Sequence, residues 1–214
     1  MKILVSGSSN GIGKAISELF LAKGHEVIGL DIVPASITHE SYVHHQLDVV
    51  KDALPQYEPD IIVISHGTQN EEKAISTNLE GAIRLERGYD GGKNLKSVLF
   101  IASASARNGS EFPLYCASKG GLVTYMKNTA VRLARRGVTV NSLSPGAVIT
   151  GFNDHILKDK KLFDAVANES LLKKWATPEE IAEWAYFVTV INKSMTGEDL
   201  LIDNGEMIKS NFVW

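Results

Sequence analysis

Apolar residues along this chain follow two alternating rhythms: short unbroken runs of strand length, and longer stretches in which they return every third or fourth position. The short runs predict strands at Lys2 to Ser6, His25 to Leu30, Tyr42 to His45, Asp60 to Ser65, Ser97 to Ala102, Val138 to Leu143 and Leu200 to Asp203. The longer stretches predict helices at about 12 to 23, 71 to 87, 113 to 136 and 178 to 191. Helix ends are marked by Gly24 and by Arg135-Arg136-Gly137, where basic residues meet the negative end of the helix dipole. Thr177-Pro178-Glu179-Glu180 reads as an N-cap, a first-turn proline and two acids that suit a helix start. Strands alternating with helices imply an α/β fold, a doubly wound parallel sheet of about seven strands with helices on both faces.

At 214 residues and 44% hydrophobic, the chain suits one such domain, 1–214, around one sizeable core. A net charge of -3 with both signs interspersed gives no basic field for nucleic acid and no cationic amphipathic helix for a membrane surface. No run approaches the ~18 apolar residues of a membrane span. The single cysteine, Cys116, forms no internal disulfide, and no Cys/His spacing resembles a metal site. The expectation is a cytoplasmic protein acting on a small molecule.

The chemistry begins at Tyr115 and Lys119, four residues apart and therefore on one face of the 113 to 136 helix. A phenol titrates near ~10; an ammonium at ~4 Å and an effective dielectric of ~20 favours its phenolate by about 4 kcal/mol before desolvation is subtracted. That pairing makes a tuned acid. Taken alone, the spacing equally describes two solvated helix residues, so its weight rests on what accompanies it.

Its company is a glycine-rich turn, Ser6-Gly7-Ser8-Ser9-Asn10-Gly11-Ile12-Gly13, which follows the first strand and opens the first helix. Gly7, Ser9, Asn10, Gly11, Ile12 and Gly13 are thus candidates to hold a pyrophosphate at a helix N-terminus. A nucleotide-hydrolysing P-loop is excluded, because Ser8 stands where that motif needs its first glycine and Ala15 where it needs Ser or Thr. Asp31 closes the second strand, where a carboxylate accepts from ribose hydroxyls and repels a 2'-phosphate. Ile32 and Val33 follow it, with no base to neutralise that phosphate, so NAD is expected over NADP.

Together these residues resemble the short-chain dehydrogenase/reductase family, from about Lys2 to Gly205. Asp48-Val49 is similar to the pair flanking the adenine, Asn78-Leu79-Glu80-Gly81 to the helix bearing the active-site Asn, and Ile101-Ala102-Ser103 to the strand end bearing the catalytic Ser. Pro145-Gly146-Ala147-Val148-Ile149-Thr150 resembles the segment that holds the nicotinamide carboxamide, here through Pro145, Gly146, Val148 and Thr150. The resemblance implies a Rossmann-type domain, NAD as cofactor, and a homodimer or homotetramer built through the 71 to 87 and 113 to 136 helices. It implies that Tyr115 moves a proton to or from the substrate oxygen, Ser103 holds that oxygen, Lys119 depresses the Tyr115 pKa and meets the nicotinamide ribose, and Asn78 positions a water behind Lys119.

The chain departs from that pattern in two places. Ser65-His66-Gly67 stands where the family has Asn-Ala-Gly, leaving Ser65 and Gly67 as cofactor contacts and His66 as a strand-end residue expected to reach solvent. Only eleven residues separate Gly67 from Asn78, about half the family's usual interval, so any helix between them must be short or absent. Ser105 competes with Ser103, whose face it would share if the strand continued. Cys116 reads as a small packed residue, and His44-His45 point to opposite faces and suit no metal.

The 148–175 segment reads as a substrate lid with a helical piece near 158 to 167; Phe112, Phe152, His155, Leu157 and Phe163 offer an apolar pocket with some polar content. The apolar end Asn211-Phe212-Val213-Trp214 is a candidate cover for a neighbouring subunit or the lid. The activity expected is interconversion of a secondary alcohol and a ketone or other carbonyl. The alternative is a catalytically inactive NAD-binding sensor or partner protein; a sugar-nucleotide epimerase needs a C-terminal domain for which this chain has no room.

Overall fold

The computed structural model describes residues 1–110 and 112–209. Seven strands, β1 (Lys2–Ser6), β2 (Glu26–Asp31), β3 (Tyr42–Gln46), β4 (Ile61–Ile64), β5 (Ser97–Ile101), β6 (Thr139–Pro145) and β7 (Asp199–Ile202), form one sheet in the order β3-β2-β1-β4-β5-β6-β7. Every pairing is parallel; Ile3, for example, lies between Val27 and Ile61. β4 and β5 are buried along their whole length, which is why they read as continuous apolar runs without alternation.

Alternate residues still serve different faces. Leu4, Ile62, Ile64, Val98 and Phe100 pack beneath α3 (Gly81–Tyr89) and α5 (Pro113–Leu133), through Leu85, Leu122 and Met126. Ile3, Val5, Ile61, Val63 and Leu99 pack beneath α1 (Gly11–Ala22) and α8 (Pro178–Tyr186), through Ile16, Phe20, Ile181 and Ala185. Each large side chain buried this way contributes roughly 1.5–3 kcal/mol. The crossovers from β2 to β3 and from β3 to β4 carry no helix, so the sheet is covered chiefly over its centre.

Before α3 the chain forms a four-residue α2 (Glu71–Ala74) and a π-turn (Ile75–Glu80), the short helix expected of the abbreviated 67 to 78 interval. Asn70 caps α2 by accepting from Lys73 N–H at 3.2 Å. Gly137 ends the α5 region at φ 70, and Thr177 and Glu180 form a reciprocal capping box on α8, as the sequence signals predict. Strand β5 stops at Ile101, and a one-turn α4 (Ser105–Asn108) follows. Ser105 therefore opens a helix and does not continue the strand beyond Ser103.

The candidate lid contains two short helices, α6 (Asp154–Leu157) and α7 (Lys160–Ala167), after a 3-10 turn at Gly151–Asn153. A parallel bridge between Val148 and Ala176 pins its two ends together. Phe163 stacks on Trp175 at 5.4 Å, and the indole N–H of Trp175 donates to the Phe163 carbonyl at 3.3 Å. Among the described residues no helix is long and apolar enough to cross a membrane, and no acidic, His or Cys cluster could hold a metal ion. The Asn211 to Trp214 end lies outside the described residues.

Candidate active site

The sheet order reverses between β1 and β4, and the candidate residues gather at the carboxyl ends of the strands around that point. The glycine turn is hooked to β2 by a hydrogen bond from Gly7 N–H to the Leu30 carbonyl, 2.8 Å. Gly7 has φ 70, and a Cβ built on Gly13 would lie 2.1 Å from the Gly7 carbonyl oxygen, so the turn closes onto the helix only with glycine at both places. The side chain of Asn10 makes no capping hydrogen bond, and the helix's own bonding starts with Lys14 N–H to the Asn10 carbonyl at 3.1 Å. The amides of Gly11, Ile12 and Gly13 lie ahead of it, in the arrangement that receives an anion.

Asp31 accepts from Ser9 N–H at 2.9 Å and from Val33 N–H at 3.2 Å. The Ser9 hydroxyl is buried without a hydrogen-bond partner among the described residues. An orphaned hydroxyl and a row of amides in the turn, with the Asp31 carboxylate of β2 bonded to it, form a donor and acceptor set that suits a ribose and a pyrophosphate. Thr150 crosses the turn, its Cγ2 3.2 Å from where a Gly11 Cβ would lie. A cavity of about 240 Å³ opens beside them between Lys14, Ile149 and Pro178. Pro145 ends β6, and its carbonyl accepts from Ala104 N–H at 2.8 Å, which ties this segment to the Ser103 loop. Gly146 lies against Asp203, and Val148 is buried.

Asp48 accepts from Val50 N–H at 2.9 Å and pairs with Lys51. The Val49 side chain belongs to the core, and its carbonyl accepts from Arg84 at 2.6 Å. Another cavity, about 380 Å³, adjoins Met1, Lys96 and Lys193 at the opposite ends of the strands and is remote from these groups.

On the other side of the reversal, α5 brings Tyr115 and Lys119 together, both buried, with the Lys119 ammonium 5.8 Å from the Tyr115 ring centroid. Lys119 is 5% exposed and donates to the Ile101 carbonyl at 2.9 Å. Burial lowers its pKa from the ordinary 10.5 to about 8. Gly67 lies beside it: a Cβ there would be 3.6 Å from the Lys119 nitrogen and 3.2 Å from the Asn78 Oδ1.

Asn78 is 1% exposed, not a surface amide. Its Oδ1 accepts from Thr68 N–H at 2.7 Å, and its Nδ2 donates to the Thr68 carbonyl at 2.9 Å and to the Ser118 hydroxyl at 3.0 Å. The Ser118 hydroxyl in turn donates a hydrogen bond to the Tyr115 carbonyl at 2.7 Å. Ser103 is 9% exposed; its hydroxyl donates to Ser105 at 3.1 Å and accepts from Ser105 N–H at 3.2 Å. The two serines thus act as a pair.

His66, expected to reach solvent, is only partly exposed. Its Nδ1 meets the Ser6 hydroxyl at 2.7 Å, and its Nε2 is buried without a hydrogen-bond partner among the described residues, against Gly81. Burial first, and then the nearby Lys119 charge, bring its pKa down to about 4, so the ring is neutral near pH 7. Ser65 beside it gives its N–H to the same Ser6 hydroxyl at 3.2 Å. Cys116 is buried, as expected, and His44 and His45 bond to different tyrosines, Tyr42 and Tyr57. Sequence reasoning missed Ser118, Thr68 and Glu71 as supports of this site; Ser118, three residues after Tyr115 on the same helical face, was the one of these that spacing signalled.

A parallel sheet reversing at a glycine turn, with a Tyr and a Lys one helical turn apart beyond it, defines a dinucleotide-fold oxidoreductase, and the chain belongs to the short-chain dehydrogenase/reductase family. The family model described as enoyl-(acyl carrier protein) reductase matches residues 57–206. The chain is similar to an NAD-dependent glycerol dehydrogenase of Listeria innocua, 29% identical over 96% of this chain and 93% of that protein. In structure it resembles a short chain dehydrogenase family protein from Francisella tularensis, with TM-score 0.88, 28% identity, and 97% of this chain and 99% of that one covered. It also resembles a 4-hydroxyisoleucine dehydrogenase complexed with NADH, with TM-score 0.87, 26% identity, and 98% and 99% covered. Its relatives support an oxidoreductase.

Proposed function

We propose that this chain interconverts a secondary alcohol and a ketone or other carbonyl by hydride transfer with NAD(H), Tyr115 serving as the general acid/base. The observation that carries the reading is the buried Tyr115 and Lys119 pair beside Asn78 and Gly67. Hydride arrival at a carbonyl creates an alkoxide. Ser103 holds the oxygen by its hydroxyl while the Tyr115 phenol gives up its proton, and the reverse holds for oxidation. Lys119, mostly charged below pH 8, favours the phenolate. Asn78 fixes the Thr68 backbone that walls the site.

The cofactor would lie across Gly7, Ser9, Asn10, Gly11, Ile12 and Gly13, with its adenosine ribose on Asp31, adenine near Asp48 and Val49, and nicotinamide along Ser65, Gly67, Pro145, Gly146, Val148 and Thr150. When bound, the nicotinamide supplies or takes the hydride. The reading extends to NAD over NADP, a lid at 148–175, a homodimer or homotetramer, and the cytoplasm. Small polyols and hydroxy acids join ketones in the first substrate panel, because the relatives named above act on glycerol and 4-hydroxyisoleucine.

The test is NADH absorbance across that panel, in both directions, for the wild type and Tyr115→Phe. We expect turnover that falls by roughly 10²-fold or more in the variant while NADH affinity is retained. Undiminished turnover in Tyr115→Phe removes the phenol from the chemistry. NADH binding without turnover on any substrate returns the chain to the inactive binding class.

A further inference from the structure

Helix α5 begins with two amide donors that its own cap does not satisfy. Its N-cap, Phe112, contributes no side-chain hydrogen bond, Pro113 has no N–H to satisfy, and the first intrahelical bond runs from Cys116 N–H to the Phe112 carbonyl at 2.9 Å. That leaves the amides of Leu114 and Tyr115. Both are taken by one carboxylate from another helix: Leu114 N–H donates to Glu71 Oε2 at 2.9 Å, and Tyr115 N–H donates to Glu71 Oε1 at 3.1 Å.

Glu71 reaches them from the short segment before Asn78. Thr68 is clamped by Asn78 through both its backbone groups, Asn70 N–H bonds the Thr68 hydroxyl at 3.1 Å, and Asn70 caps α2. Glu71 then stands at the first position of α2, facing the α5 N-terminus. Asn78 reaches the same helix from the other side, through Ser118 to the Tyr115 carbonyl. The Tyr115 N–H is thus held directly by Glu71, and its carbonyl by Ser118, which Asn78 bonds in turn.

We propose that Glu71 is a positioning residue for Tyr115, replacing the missing N-terminal cap of α5 and setting the depth at which the phenol enters the site. The inference rests on the oxidoreductase reading for its effect on turnover. Its physical content, a carboxylate bridging two helices at the Tyr115 amide, stands apart from that reading. A hydrogen bond to an ionised acceptor is about twice as strong as a neutral one. Near-attack geometry, moreover, makes small displacements of a reacting group expensive.

The experiment compares Glu71→Ala, Glu71→Gln and Glu71→Asp with the wild type by NADH binding, steady-state kinetics on whichever substrate the panel identifies, and amide hydrogen exchange resolved at residues 114 and 115. We expect Glu71→Ala to lower kcat roughly tenfold or more, to leave NADH affinity and KM within about twofold, and to expose the Leu114 and Tyr115 amides to exchange. Glu71→Gln, which keeps one acceptor oxygen, and Glu71→Asp should each recover part of both losses. Unchanged exchange at these amides in Glu71→Ala overturns the tether. A kcat loss that neither conservative variant relieves overturns the positioning role. If the wild type turns over no substrate, the exchange pattern still decides the tether, and the failure belongs to the functional reading.

Discussion

Lys119 should cost this protein stability at neutral pH, and Lys119→Met measures how much. The side chain is 5% exposed, and burial brings its pKa from 10.5 to about 8. At ~1.36 kcal/mol per pH unit, that displacement corresponds to about 3 kcal/mol of stability forgone at pH 7. The sign follows from proton counting: between pH 8 and 10.5 the unfolded chain binds more protons at this site than the folded one, so stability rises with pH across that window. Methionine keeps much of the apolar stem's packing but leaves the Ile101 carbonyl without the ammonium, which costs about 1 kcal/mol or more. A net gain of about 1–2 kcal/mol remains, or roughly 2–8 °C in Tm for a chain of this size. The assay is thermal unfolding of both proteins from pH 7 to 10. The gap should be widest at or below pH 8 and close towards pH 10.5, while the variant loses turnover. A Tm at or below wild type at pH 7, or a gap that does not narrow with rising pH, would refute the reasoning.

Two other outcomes test the electrostatics on either side of the sheet. Asp31→Ala removes the carboxylate expected to repel a 2'-phosphate, so the preference for NADH over NADPH should fall; a binding titration that finds the ratio unchanged removes Asp31 from cofactor selection. Glu86 is fully buried and accepts from Arg132 at 2.9 Å through both oxygens and from Tyr125. Arg132→Met should therefore cost about 3 kcal/mol, because it leaves that buried charge only Tyr125 and the half-exposed Arg87 at 3.8 Å, whereas the double variant Glu86→Met/Arg132→Met should recover much of it. Equal losses in urea unfolding of the single and double variants would contradict this account.

Most strand positions and the main helices were legible because their signals are local. Burial of a strand on two faces demands a continuous apolar run, as at Ile61–Ile64, and helix ends announce themselves through Gly137 and the Thr177 to Glu180 box. The Tyr115 and Lys119 pair was legible for the same reason, since one helical turn separates them whatever the rest of the chain does. How far the His66 ring meets solvent was not legible, because access at a strand end depends on what packs over it, here Ser6, remote in sequence, and Gly81 at the start of α3. Ser105 was judged against a longer strand, and only the fold shows where β5 stops.

By itself, then, the sequence determined the order of elements, the parallel sheet, the glycine-rich turn between β1 and α1 and the one-turn spacing of a phenol and an ammonium, because all of these follow from backbone periodicity and local sterics. Tertiary structure alone decided that Lys119 is buried enough to titrate near 8, that the His66 Nε2 is buried, and that Glu71 reaches across to the Tyr115 amide. Desolvation and contacts between remote segments depend on how elements pack in space, and no short-range pattern of residues records that.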